Sequence, residues 1–140
     1  MRREGFLATI GRDLPIAVVR APSSVELGRH AFVELLRQDP KLEAVYCSSD
    51  QLAQGVIVEA LERGLRVPDD LAVCGFGDAD FSAHVRPSLT TVHVEGRKIG
   101  ELAARLIIDR CRLEPIASPI VDVGFHIVER QSSSSTGSQA

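Results

Sequence analysis

Residues 46–91 read YCSSDQLAQGVIVEALERGLRVPDDLAVCGFGDADFSAHVRPSLTT. The apolar run Ala44-Val45-Tyr46-Cys47 leads into this stretch, and Leu71-Ala72-Val73-Cys74 lies within it. Each reads as a short buried strand, and each ends in a polar cluster. Between them Ala53, Val56, Ile57, Ala60 and Leu61 recur at helical spacing. A strand, a helix and a strand in that order make a parallel βαβ unit. The unit carries Ser48, Ser49, Asp50, Gly77, Asp78 and Asp80 to one edge of a sheet. Open α/β sheets bind ligands in the crevice beyond the carboxyl ends of their strands. The stretch therefore points to a small-molecule site.

Working outward, Ser49 or Asp50 can cap the central helix, and Gly64 is placed to stop it. Upstream, residues 2–12 carry Phe6, Leu7 and Ile10 at helical spacing. Pro15 follows, and Ile16-Ala17-Val18-Val19 reads as another buried strand. Ser23-Ser24-Val25-Glu26 fits a capping box with Ser23 as N-cap. The helix it opens sets Leu27, Ala31, Phe32, Leu35 and Leu36 on one face and runs to about Gln38. Downstream, Leu89-Thr90-Thr91-Val92 reads as a strand. Ile99, Leu102, Ala103, Leu106 and Ile107 define an amphipathic helix. Val121, Val123, Phe125 and Ile127 alternate as in a strand with one wetter face. Residues 131–140, QSSSSTGSQA, read as a disordered polar tail. The expected fold is α/β, a three-layer α/β/α arrangement around a parallel sheet, formed by residues 1–130.

The 140 residues suffice for one domain with a modest core, and 44% hydrophobic with 25% charged residues is ordinary for a globular chain. With a net charge of −3 and no block of Lys or Arg, this stretch lacks the electrostatic footprint of a nucleic-acid or anionic-membrane binder. No apolar run has membrane length and no signal peptide is evident. Cys47, Cys74 and Cys111 are odd in number and widely spaced, so they suggest neither disulfides nor a zinc site, and buried thiols fit a reducing cytoplasm.

Ser48-Ser49-Asp50 reads as a helix cap, as a ligand contact, or as both. Gly75-Phe76-Gly77-Asp78-Ala79-Asp80 lacks the dinucleotide-binding spacing. Its acids either bind sugar hydroxyls or are solvated loop residues. Paired carboxylates can serve as acid and base, yet the chain has no Trp and only Tyr46 and five Phe as stacking platforms. His30, His84, His93 and His126 are separated in sequence and read as surface or satisfied histidines; His93, near Glu95, is the one to inspect. No metal, phosphate-loop or nucleophile motif is present, so neither an enzyme nor a bound cofactor or metal is expected.

The ordered series Ser48-Ser49-Asp50-Gln51-Leu52-Ala53 with Gly55, Gly64-Leu65-Arg66-Val67-Pro68-Asp69-Asp70, Val73-Cys74-Gly75-Phe76-Gly77-Asp78, Pro87-Ser88-Leu89-Thr90-Thr91-Val92 and Ile99-Gly100 resembles the effector-binding core of LacI/GalR-family transcription regulators. Arg2-Arg3-Glu4-Gly5-Phe6 resembles that family's Arg-x-x-Gly-Phe helix, and Arg130 with Ser132-Ser133 its C-terminal end. The resemblance implies one lobe of a type I periplasmic-binding-protein-like domain, in a cytoplasmic repressor whose sugar or sugar-acid effector biases DNA affinity. Operator DNA would be met only through an N-terminal domain outside this chain.

The expected effector contacts are Arg2, Ser49, Asp50, Asp78 and Asp80: by the resemblance Arg2 matches an effector-binding arginine and Ser49 a position usually held by Asn, while Asp50 and Asp80 come from the polar clusters at the sheet edge. Gly77 falls where many members have an effector-binding Asp, which either makes Asp78 the substitute or leaves that contact absent. Gly77-Asp78 and Val92-His93-Val94-Glu95-Gly96 lean toward the gluconate-responsive branch. Gln54, Val58, Phe81 and Val85 fall on the homodimer face. The helix over residues 98–112 resembles one that packs on the family's first lobe. That lobe lies outside this chain, so Ile99, Leu102, Leu106 and Ile107 are expected to lack cover. The alternative is a sugar-binding fragment of a transport system.

Overall fold

A computed structural model describes residues 2–10, 14–113 and 120–134, with backbone alone at Arg2 and Arg3. Helix α1 (Arg2–Ile10) and α2 (Val25–Gln38) precede β1 (Ala44–Tyr46). Then come α3 (Asp50–Glu62), β2 (Ala72–Phe76), a 3-10 turn (Asp80–Ala83), β3 (Thr90–His93), α4 (Gly96–Cys111) and β4 (His126–Val128). The strands lie in the order β1-β2-β3-β4, parallel at the first two seams and antiparallel at the third. The expected α/β fold is present. The sheet is mixed, because β4 returns beside β3 instead of crossing over.

Val45 and Val73 sit side by side in register on one sheet face, and both are buried. α2 and α3 cover that face. Leu52, Ala53, Val56, Ile57 and Ala60 of α3 join Phe32, Cys47, Leu71 and Leu89 in the core. Leu61, expected inside, is exposed. The two helices meet backbone to backbone. A Cβ on Gly28 would lie 2.2 Å from the Leu52 carbonyl oxygen, and one on Gly55 would lie 2.1 Å from that of Val25. Arg29 ties the pair at the surface through ion pairs to Glu59 and Glu62. Alternation turns Tyr46 to the opposite face, where Phe6 of α1 stacks on it at 5.1 Å.

Four further sequence expectations need correction. The α2 cap is Ser24, one residue late, because its hydroxyl and not that of Ser23 reaches the Leu27 N–H at 3.1 Å. Residues 16–19 form no strand. The Gln38 side chain takes the Ile16 N–H and C=O at 3.0 and 3.1 Å, and a cavity of about 370 Å³ lies among α1, residues 14–19, α2 and β1. The alternating run 121–128 yields strand only at its end, because the Gly124 N–H bonds to the Asp122 carboxylate (2.8 Å) in a turn where Gly124 has φ +75°.

Gln131 and Ser132, expected in a disordered tail, bond to the sheet instead. Ser132 is fully buried between β2 and β3: its hydroxyl donates to the Val73 C=O (2.6 Å) and accepts from the Thr90 N–H (2.8 Å). Its own C=O accepts from the Val73 N–H at 2.7 Å. Residues 135–140 lie outside the described residues.

α4 has no buried residue; Ile99, Ile107 and Ile108 are all exposed, and Leu102 and Leu106 are half-buried.

The α2–α3 contact has no room for a methyl group. Gly55→Ala is expected to destabilise the fold by about 1–3 kcal/mol through overpacking, read as a lower urea midpoint. Gly5→Ala, where nothing lies within 4 Å of the added carbon and the residue is in a helix, is expected to leave that midpoint unchanged or raise it slightly.

Candidate functional site

Because β1, β2 and β3 run parallel, their carboxyl ends share one edge, and the polar clusters read from sequence converge there. Ser49 caps α3, accepting from the Leu52 N–H at 3.4 Å. Asp50, the first helical residue, is 3% exposed and points inward. One of its oxygens accepts from the Ala79 N–H (2.7 Å) and the Ser82 hydroxyl (3.0 Å), the other from the Thr91 hydroxyl (2.6 Å). A Cβ on Gly75 would fall 2.2 Å from that second oxygen, so β2 carries glycine where the carboxylate sits. Asp50, expected as an effector contact, is thus an internal tie from α3 to the β2–β3 connection.

Asp78 sits at φ +52°, a left-handed conformation that Asp tolerates better than most residues. Its N–H donates to Thr91 Oγ1 at 3.3 Å. Arg130 Nη2 donates to Asp78 Oδ1 at 2.7 Å, and His93 Nδ1 lies 2.9 Å from Oδ2. His93 Nε2 is 3.6 Å from Glu95 Oε1, and its ring lies 4.8 Å from that of His126. Partial burial pushes the Asp78 carboxyl up, but the hydrogen bonds from Arg130 and His93 outweigh it and hold the group below the ordinary carboxylate range. Asp78, His93 and Arg130 all remain partly open to solvent.

Of the other expected contacts, Asp80 is exposed at the start of the 3-10 turn. The Arg2 side chain lies outside the described residues. Gln54, Val58, Phe81 and Val85 are all half-buried, and Val85 packs against the core. Among the described residues no group of His, Cys, Asp and Glu is placed to hold a metal ion. Burial pushes the Cys47 thiol up to about 12, which keeps it protonated and unreactive.

Two features of the site were hidden in the sequence. His93 and His126, far apart in the chain, are register partners across the β3–β4 seam. Arg130 reaches back 52 residues to Asp78, and no local pattern signals that pairing.

Replacing Asp50 with Ala orphans two hydroxyls and one backbone donor, and is expected to cost about 3 kcal/mol by chemical denaturation. The Asp78 contribution is pH-dependent. Its folded pKa is depressed, so the stabilisation is complete above the unfolded carboxyl value of about 3.9 and is lost as pH falls through the lower folded value. The stability gap between wild type and Asp78→Asn, followed by urea unfolding from pH 7 to pH 3, is expected to narrow only below about pH 4.

Comparison with known proteins places this architecture. The periplasmic binding protein-like domain family matches residues 1–133. The chain is 37% identical over 138 residues to the HTH-type transcriptional regulator GntR of Pseudomonas aeruginosa, covering 94% of this chain and 40% of that one. The crystal structure of transcription regulator GntR from Chromobacterium violaceum superposes with TM-score 0.81 at 33% identity, covering 94% of this chain and 49% of that one. The transcriptional regulator CelR–cellobiose complex superposes with TM-score 0.82 at 29% identity, covering 94% and 40%. The chain spans about 40% of the length of the curated relatives it matches. With its α/β sheet, its strand-edge polar cluster and these relatives, the chain belongs to the periplasmic-binding-protein-like family, among domains found in LacI-type transcription regulators.

Proposed function

We propose that this chain is the effector-sensing and dimerisation part of a cytoplasmic LacI-type repressor that responds to a sugar or sugar acid. The observation that carries the reading is the Asp78–His93–Arg130 cluster at the carboxyl ends of β2 and β3. A partly exposed carboxylate held at a strand edge offers acceptors to ligand hydroxyls in a crevice of the kind where α/β sheets bind ligands. Ser49 and Asp80 lie on neighbouring connections at the same edge. Arg2 would bring a forked cation suited to a sugar-acid carboxylate. The relatives are regulators, which favours this reading over a transport component. They also favour a non-enzymatic role. No helix among the described residues is long and apolar enough to cross a membrane.

An effector acts by binding one arrangement of the regulator more tightly than another. Operator DNA would be contacted by a part of the regulator outside this chain, in keeping with the net charge of −3 here.

A thermal-shift panel of sugars and sugar acids that includes gluconate tests the site. One compound is expected to raise the melting temperature with dose, stabilising by about 2.7 kcal/mol at a hundredfold excess over its dissociation constant. Asp78→Ala is expected to abolish the rise. A cooperative melt that no compound moves, in this chain and in the full-length regulator, would refute the sugar reading.

The homodimer is assigned to Gln54 and Val58 on α3 with Phe81 and Val85 beyond β2. The exposed stripe of α4 is the competing surface, since a contiguous apolar patch favours association. Sedimentation equilibrium is expected to show a dimer that Val58→Asp weakens and Ile107→Ser leaves intact. The reverse pattern would move self-association to α4.

A further inference from the structure

Arg130 is anchored on three sides before it reaches Asp78. Its N–H donates to Thr90 Oγ1 at 2.8 Å, and its C=O lies 2.9 Å from the same hydroxyl. Its Nη1 donates to the Leu89 C=O at 2.8 Å. Two residues later Ser132 is locked between β2 and β3. The guanidinium therefore stands on the sheet and not on a loose tail, and its side chain is 17% exposed. From there Nη2 meets Asp78 Oδ1 at 2.7 Å.

We propose that Arg130 is the positioning residue of the candidate effector site, fixing the Asp78 carboxylate so that its spare lone pairs receive two neighbouring hydroxyls of a polyhydroxylated ligand. The inference rests on the effector-site reading above. An ionised carboxylate offers about four acceptor positions. Arg130 takes one and His93 takes one, which leaves about two, the number a vicinal diol fills with two donors. The cation also offsets the Asp78 charge, so a ligand that carries a carboxylate of its own meets less repulsion there.

The groups facing Asp78 are Arg130 from the C-terminal turn, His93 from β3 and the Thr91 hydroxyl bonded to its N–H. Glu95 and His126 face the far side of His93. Losing Arg130 therefore leaves His93 as the single cationisable group on Asp78 among the described residues.

The test compares wild type, Arg130→Met and Arg130→Lys by carboxyl carbon NMR titration of Asp78. In Arg130→Met the Asp78 midpoint is expected to rise. Arg130→Lys, which keeps the charge but not the fork, is expected to restore part of the shift. An Asp78 midpoint that does not move in Arg130→Met overturns the proposal. Should Arg130→Met fail to melt cooperatively, Asp78→Asn in an otherwise native chain gives the reciprocal readout. The Arg130 Nη2 resonance, whose partner is Asp78, is expected to shift while Nη1 stays on the Leu89 C=O; if Nη2 does not shift, the proposal is overturned.

The ligand arm uses gluconate and glucose as probes, by calorimetry. Affinity for whichever binds is expected to fall at least tenfold in Arg130→Met and less in Arg130→Lys. Equal affinity in wild type and Arg130→Met overturns the positioning role. If neither probe binds wild type, the gluconate and glucose reading fails, while the Asp78 titration still decides whether Arg130 positions the carboxylate.

Discussion

The buried carboxylate of Asp50 ties the start of α3 to the β2 connection, the 3-10 turn and β3 at a single point. It sits in the first turn of α3, where a negative charge is favoured by the helix N-terminus. It accepts hydrogen bonds from the β2 connection, the 3-10 turn and β3. Taking a carboxylate out of water costs several kcal/mol, and that cost is offset only when its oxygens are satisfied. The connection over residues 77–82 therefore cannot drift without leaving a buried charge short of partners. Gly75 belongs to the same constraint, since any side chain there would occupy the space of the carboxylate.

From this tie the geometry of the exposed site follows in two steps. The Thr91 hydroxyl donates to Asp50 and accepts from the Asp78 N–H, so the buried acid fixes the backbone of the accessible one. The Asp78 side chain is then fixed from the other side by Arg130, whose base is held by Thr90 and the C-terminal turn. That turn has its own necessity. β2 and β3 pair from Cys74 and Thr90 onward, and ahead of that point Ser132 enters and satisfies Val73 and Thr90 in place of a neighbouring strand. The C-terminal residues thus complete the sheet.

The parts of this fold legible in the sequence are those whose signals are local. α3 was readable from its apolar spacing and from Ser49, and β1, β2 and β3 from short apolar runs between turn residues. What depended on a distant partner was not readable. Ile16-Ala17-Val18-Val19 has the composition of a strand, but the backbone N–H and C=O of Ile16 are taken by the distant Gln38 side chain. The Ser-rich end reads as disordered because its hydroxyls look solvated until two diverging strands are seen to need them. Asp50 carries the local signature of a cap residue whether it faces solvent or core, so only the structure separates a ligand contact from an internal tie. The His93–His126 pairing depends on β4 reversing direction, and the Asp122–Gly124 turn that ends the run of alternation gave no warning of that in period-2 spacing.

The polar groups at the strand edge divide by whether their capacity is already spent. Asp50, Ser82 and Thr91 are consumed internally and are buried. Asp78 and His93 retain exposure, and Asp78 retains spare acceptor positions, on a frame those buried groups hold in place. A ligand engaging Asp78 would therefore grip β2, β3 and the C-terminal turn at once. Under the proposed function this narrows the form of the allosteric response. Little of the coupling energy can come from rearranging the connection at residues 77–82, because moving it would unpair Asp50. Under that reading the coupling would come from contacts the ligand makes between this body and another part of the regulator, which fits a rigid-body rotation of domains better than an order–disorder change in the site.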